Sequence, residues 1–181
     1  MMAMKKRREH AMKRFSRREI TQRTAYSGLL LATMLVLGYV ESLLPAVAGV
    51  PGIKLGLSNS VLIFAVYMLD LPTAWVLMVL KVVLSGLLFG GFNTILYAMA
   101  GGVLSMLFMS VLSHFPSLHP VVVSMVGGVM HNVGQVAVAM LLLHTPQLLY
   151  YMAILIFVGM ACGALTGVVA ASVMKHLKTI K

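Results

Sequence analysis

Between Arg23 and Lys175 the chain carries only four charged side chains, Glu41, Lys54, Asp70 and Lys81. So long a stretch without charge cannot form a water-soluble domain, because there is too little polar surface to cover an apolar core. Hydrophobic residues make up 60% of the sequence and charged residues 10%, with a mean hydropathy of +0.98. The chain therefore reads as an all-α integral membrane protein, since helices satisfy their own backbone hydrogen bonds in lipid. At roughly 20 apolar residues per crossing, 181 residues suit one domain of about six transmembrane helices.

Turn signals divide the apolar stretch. The first span is expected from about Thr24 to Leu44, closed by Pro45, and is followed by the Gly- and Pro-containing loop Ala46 to Ser58. A short second span, about Leu57 to Leu69, ends at Asp70-Leu71-Pro72. The third runs from about Thr73 to Phe89, the fourth from Asn93 to Ser113, the fifth from Val121 to Leu143 and the sixth from Leu148 to Met174.

Nine of the 14 Lys and Arg residues precede residue 24, and Lys175, Lys178 and Lys181 close the chain. Basic flanks stay on the cytoplasmic side, which places both termini there and makes the number of spans even. The expected organisation is a basic cytoplasmic segment over residues 1–23, a six-helix transmembrane domain over 24–174 and a basic tail over 175–181 of a multi-pass cell-membrane protein. The basic leader suits anionic lipid rather than nucleic acid, as no aromatic-interleaved motif accompanies it. Cys162 is the single cysteine, which excludes an internal disulfide or a cysteine metal cluster.

Lys81 lies near the middle of its apolar run, where a charge costs roughly 2.5 to 3.5 kcal/mol on insertion scales. Two readings stay open: Lys81 pairs with Glu41, or it meets an anionic group on a ligand. Other polar side chains in the spans, Asn59, Asn93, Tyr97, His131, Asn132 and Gln135, together with Lys54 in the loop, are the candidate substrate-binding set. His131 and Gln135, four apart, share one helix face, as do Lys81 and Ser85. The alternative for His131, Asn132 and Gln135 is hydrogen-bonded glue between helices. Tyr150 and Tyr151 suit an interfacial aromatic belt.

Small residues mark where helices approach. Gly28 and Ala32 are four apart in the first span, and Gly159, Gly163, Gly167 and Ala171 form a four-step stripe in the last. Internal packing and an outward docking surface are both compatible with such stripes. Only four acids occur in the whole chain, none adjacent, so there is no carboxylate cluster to hold magnesium. No Walker motif, nucleophile elbow or HExxH pair appears. The chain is expected not to be an enzyme and to need no cofactor and no metal.

Pro51-Gly-Ile-Lys-Leu-Gly-Leu-Ser-Asn59, the segment from Lys81 to Phe92 (KVVLSGLLFGGF), Tyr97-Ala-Met-Ala-Gly-Gly102 and Gly127-Gly-Val-Met-His-Asn-Val-Gly-Gln135 together resemble a bacterial membrane family labelled heptaprenyl diphosphate synthase component I, or Gx transporter. That family is similar to the substrate-binding S components of energy-coupling factor transporters. The resemblance implies an S-component-like six-helix bundle that binds a small anionic, isoprenoid or vitamin-precursor-like solute from outside. The implied partner is a transmembrane coupling protein with two ATPases. It places Gly28 and Ala32 where S components carry a docking motif, with Gly in place of one of the two usual alanines, and Lys81 where the family often has arginine. The family label implies the alternative, a non-catalytic membrane accessory of heptaprenyl diphosphate synthesis, because prenyl synthase catalytic subunits carry aspartate-rich motifs that this sequence lacks.

Overall fold

The computed structural model describes residues 17–43 and 57–180. Its elements are α1 (Arg17–Ser42), α2 (Leu57–Ser60), α3 (Leu62–Met68), α4 (Leu71–Ser85) continued by a π-turn (Gly86–Gly90), α5 (Phe92–Leu112), α6 (Pro120–Leu143) and α7 (Leu148–Ile180). Among the described residues five helices are long and apolar enough to cross a membrane. This is a multi-pass, all-helical membrane protein, and the four spans expected from Thr73 onward coincide with α4 to α7 within a few residues.

Differences lie at the ends and in the second span. Helix α1 begins at Arg17 rather than Thr24, because the basic stretch before the apolar run continues the same helix beyond the hydrocarbon. Helix α7 likewise continues past Met174 to Ile180. The expected second span is two short pieces joined at Val61, and Leu57–Met68 is 12 residues long. At 1.5 Å per residue that is roughly 18 Å, well short of a hydrocarbon core about 30 Å thick. It survives as a buried insert: Val61, Leu62, Ile63 and Ala65 are almost wholly enclosed. The loop that precedes it, with Lys54, lies outside the described residues.

Local chemistry explains the boundaries. Asp70, in extended backbone, caps α4 by accepting from the Thr73 N–H at 2.9 Å, and Pro72 occupies the first turn. Arg23 of α1 donates to Asp70 at 2.6 Å, tying the start of α1 to the start of α4. The Asp70 carboxyl is held below its ordinary value, first by hydrogen bonding with Thr73, which outweighs the upward push of burial, and then by the nearby Arg23 guanidinium. His119 caps α6 through Nδ1, which accepts from the Val121 N–H at 3.3 Å, ahead of Pro120.

At the other end of α4 the Gly91 N–H donates to the Gly86 carbonyl at 2.7 Å, an i to i+5 bond. Gly91 then takes φ 77° and ψ 179°, a conformation essentially confined to glycine, and this lets α5 start in a new direction. Large apolar side chains such as Leu29, Val36, Leu87, Phe92, Leu141 and Phe157 face outward, as a lipid solvent permits.

Candidate functional site

The buried polar residues form two groups. The first is built from α1, α2 and α4. Glu41 is 5% exposed. Its carboxylate accepts from the Leu57 N–H at 2.8 Å, from the Ser58 N–H at 3.3 Å and from the Ser58 hydroxyl at 2.9 Å. Those donors open α2 and have no carbonyl of their own to meet, so the carboxylate completes the helix start from another helix. One turn earlier, a Cβ on Gly38 would stand 3.2 Å from Ser85 Oγ and 3.8 Å from Ser58 Oγ. Only a bare backbone lets α1 come this close to both α2 and α4. Ser85 in turn lies one helical turn from Lys81, which is 4% exposed midway along the Leu71–Gly90 span. The π-turn begins immediately after Ser85, so this face of α4 ends in the kind of irregular backbone that often marks functional positions.

The second group is built from α5, α6 and α7. His131, Asn132 and Gln135 are buried on α6. A Cβ on Gly101 of α5 would lie 2.5 Å from the His131 carbonyl, 2.8 Å from its Nδ1 and 2.9 Å from Gln135 Cγ, so the glycine is what admits these side chains. The Asn132 amide donates to the Leu155 carbonyl of α7 at 2.7 Å and accepts from Gln135 Nε2 at 3.4 Å. Tyr97 is buried below, with Val136, Ala139, Leu148 and Leu155. On the opposite side of the same glycine pair, Gly102 faces Met78 and Val82 of α4. Helix α5 is thus thinned at Gly101-Gly102, with α6 close on Gly101 and α4 close on Gly102.

The remaining candidates fall as follows. Asn59 is 2% exposed in α2, and its Oδ1 has no hydrogen-bond partner among the described residues. A buried polar atom left so costs about 1 to 3 kcal/mol. Asn93 is exposed in the first turn of α5, outside both buried groups, because it lies beyond the level at which α4 and α6 pack. Tyr150 and Tyr151 are exposed at the start of α7. Gly28 and Ala32 face outward on α1, with nothing within 4 Å of a Cβ added at Gly28. The α7 stripe points inward: Gly159 meets Gly128, Gly163 meets Ser124 and Met125, and Gly167 meets Val121 and Ser124. Two apolar surface grooves, beside Trp75 and Val79 and beside Met125 and Met160, carry no polar lining group and suit lipid tails.

The model of one family, heptaprenyl diphosphate synthase component I, matches residues 30–173. The chain belongs to that family. No curated protein and no solved structure matches it. The family match spans both buried groups, the π-turn and all but the first turns of α1. Among the described residues no three His, Cys, Asp or Glu side chains come together. What this member of the component I family offers is a buried positive charge and a set of amide, imidazole and hydroxyl groups, which is the chemistry of recognition.

The roles of Glu41 and Gly38 were not foreseen from sequence. The available signal was an acid in the last turn of a transmembrane helix, where it opposes the helix dipole and so calls for a partner elsewhere.

Proposed function

We propose that this protein is the solute-binding membrane subunit of an ATP-dependent uptake system, working in the manner of an S component. The observation that carries the reading is Lys81, a lysine 4% exposed midway along a transmembrane helix. A charge in that position is costly and is characteristic of a ligand or ion pathway. Lys81 meets the negative group of a small anionic, isoprenoid or vitamin-precursor-like solute, and His131, Asn132, Gln135, Asn59 and Tyr97 supply hydrogen bonds. Both termini are cytoplasmic and the solute arrives from outside, in keeping with the basic ends and with the Arg23–Asp70 contact, by which the chain is back on the starting side of α1 before α4 begins. The open face at Gly28 and Ala32 receives a transmembrane coupling protein that carries two ATPases. Reconstitution into proteoliposomes with such an energising complex tests the reading. Solute accumulation that requires ATP, and stops when this chain is left out, supports it. Accumulation that is independent of this chain rejects it.

The family description supports a second reading, a non-catalytic membrane partner of heptaprenyl diphosphate synthesis. Product chain length from a soluble prenyl synthase, measured with and without this protein in liposomes, separates the two. A shift in chain length favours the second reading.

A further inference from the structure

Helix α2 contributes only four residues, yet it touches α1, α6 and α7 and so bridges the two buried groups. Its start is fixed from outside itself by the three hydrogen bonds to Glu41. Glu41 does nothing favourable for α1, since a carboxylate in a last turn meets the negative end of the dipole. Its bonds serve α2, and the residue that α2 carries next is Asn59. Ser105 and Ser110 also have buried hydroxyls without a partner, but a hydroxyl can turn toward a carbonyl of its own helix. An amide oxygen only accepts, and that of Asn59 is held within the bundle with no donor before it among the described residues.

We infer that Asn59 is a specificity-determining residue whose amide oxygen accepts a hydrogen bond from a hydroxyl or N–H group of the solute, and that Glu41 is the positioning residue that holds it there. The inference rests on the uptake reading and narrows it. The solute combines an anionic group for Lys81 with a hydrogen-bond donor, which sets it apart from a plain prenyl diphosphate, whose tail has none. A site that uses a buried polar group in this way discriminates strongly against analogues lacking the matching group.

The test uses the full chain, purified in mild detergent, with Asn59→Leu, Asn59→Ala and Glu41→Gln beside wild type. The first readout is the apparent thermal midpoint after solute has been removed by extensive washing. An oxygen kept for a ligand destabilises the empty protein, so Asn59→Leu raises the midpoint by about 2–4 °C and Asn59→Ala leaves it at or above wild type. A fall in both variants shows that the oxygen serves the fold and overturns the inference. The second readout is mass spectrometry of small molecules released by denaturing protein purified without washing, with deuterium exchange counting labile hydrogens. The expected result is a released molecule with at least one exchangeable O–H or N–H hydrogen beyond those of its acid group. Per folded protein recovered, its amount falls at least tenfold in Asn59→Leu and several-fold in Glu41→Gln, whose single acceptor oxygen cannot meet both backbone N–H groups and which therefore also lowers the midpoint. A retained molecule with no labile hydrogen beyond those of its acid group, or equal retention by Asn59→Leu, overturns the assignment. Equal retention by Glu41→Gln overturns the positioning role. If wild type releases nothing, the uptake reading is what fails, and the washed-protein midpoints alone decide whether Asn59 serves the fold.

Discussion

Helices α5 to α7 and helices α1 to α4 are held together by different means. In the C-terminal unit the backbones touch: a Cβ on Gly134 would meet the Ala100 carbonyl at 2.8 Å, one on Gly163 the Ser124 carbonyl at 2.5 Å, and Gly128 and Gly159 face each other directly. Close glycine contacts of this kind supply packing where lipid gives no hydrophobic drive. In the N-terminal unit the joints are polar, Glu41 to Ser58 at one end and Arg23 to Asp70 at the other. Burial within each unit is uneven: α6 is the most enclosed span at 44% and α7 only 22%, while α4 reaches 39% and α1, at 17%, is the most open. The C-terminal unit is a closely packed wall. The N-terminal unit keeps an open face at Gly28 and Ala32.

The strongest way to break that contrast is to add bulk to a glycine on each side. Gly128→Leu drives a side chain into the Gly159 backbone and is expected to cost about 2 kcal/mol or more. Folded protein recovered from membranes, measured by size-exclusion chromatography, should fall severely. Gly28→Leu enters open space and should stay within about 0.5 kcal/mol of wild type. It should nonetheless block coupling to the energising complex in a co-purification assay. If the two variants lose stability equally, the division into wall and open face is wrong.

Next in size is Glu41→Ala, which strips two backbone N–H groups and a hydroxyl of their acceptor. Each buried donor left unmet costs about 1 to 3 kcal/mol, so the thermal midpoint should drop clearly, while Val36→Ala on the exposed face of the same helix should change it little. Equal losses would show that α1 is not joined to α2 through this carboxylate.

The smallest effect is expected at Arg23–Asp70, whose side chains are 41% and 33% exposed and whose pair is worth at most about 1 kcal/mol. Because the folded-state carboxyl lies below its unfolded value, the contribution is complete above the ordinary carboxylate range near pH 4 and disappears as pH falls through the folded value. The stability difference between wild type and Asp70→Asn should be present at pH 7 and vanish in stronger acid. A difference that grows on acidification would contradict the assignment.

Much of this contrast is legible in the sequence. Long apolar runs with Pro72, Gly90-Gly91, Pro120 and Pro146 between them define α4 to α7, because those runs exceed the length of a bilayer crossing and their breakers are local. The burial of Lys81, His131, Asn132 and Gln135 is anticipated by their place in apolar surroundings. What a single sequence does not reveal is which neighbour each polar group meets. The Glu41 tether joins residues 16 and 17 positions apart across a loop, and no periodicity records it. The inward turn of the α7 glycines and the outward turn of Gly28 follow from the facing helices, since both stripes have the same four-residue spacing. Asn93 and Tyr97 share a face by that spacing, yet only Tyr97 reaches the depth at which α5 is packed on both sides.

Native mass spectrometry of the gently purified protein, wild type against Lys81→Met, tests solute binding at the buried lysine most directly. The account predicts a small-molecule adduct on wild type that Lys81→Met loses while its helical content, thermal midpoint and monodispersity stay those of wild type. An adduct carried equally by both proteins, or a wild type that is bare while it alters the chain length made by a prenyl synthase, would contradict it.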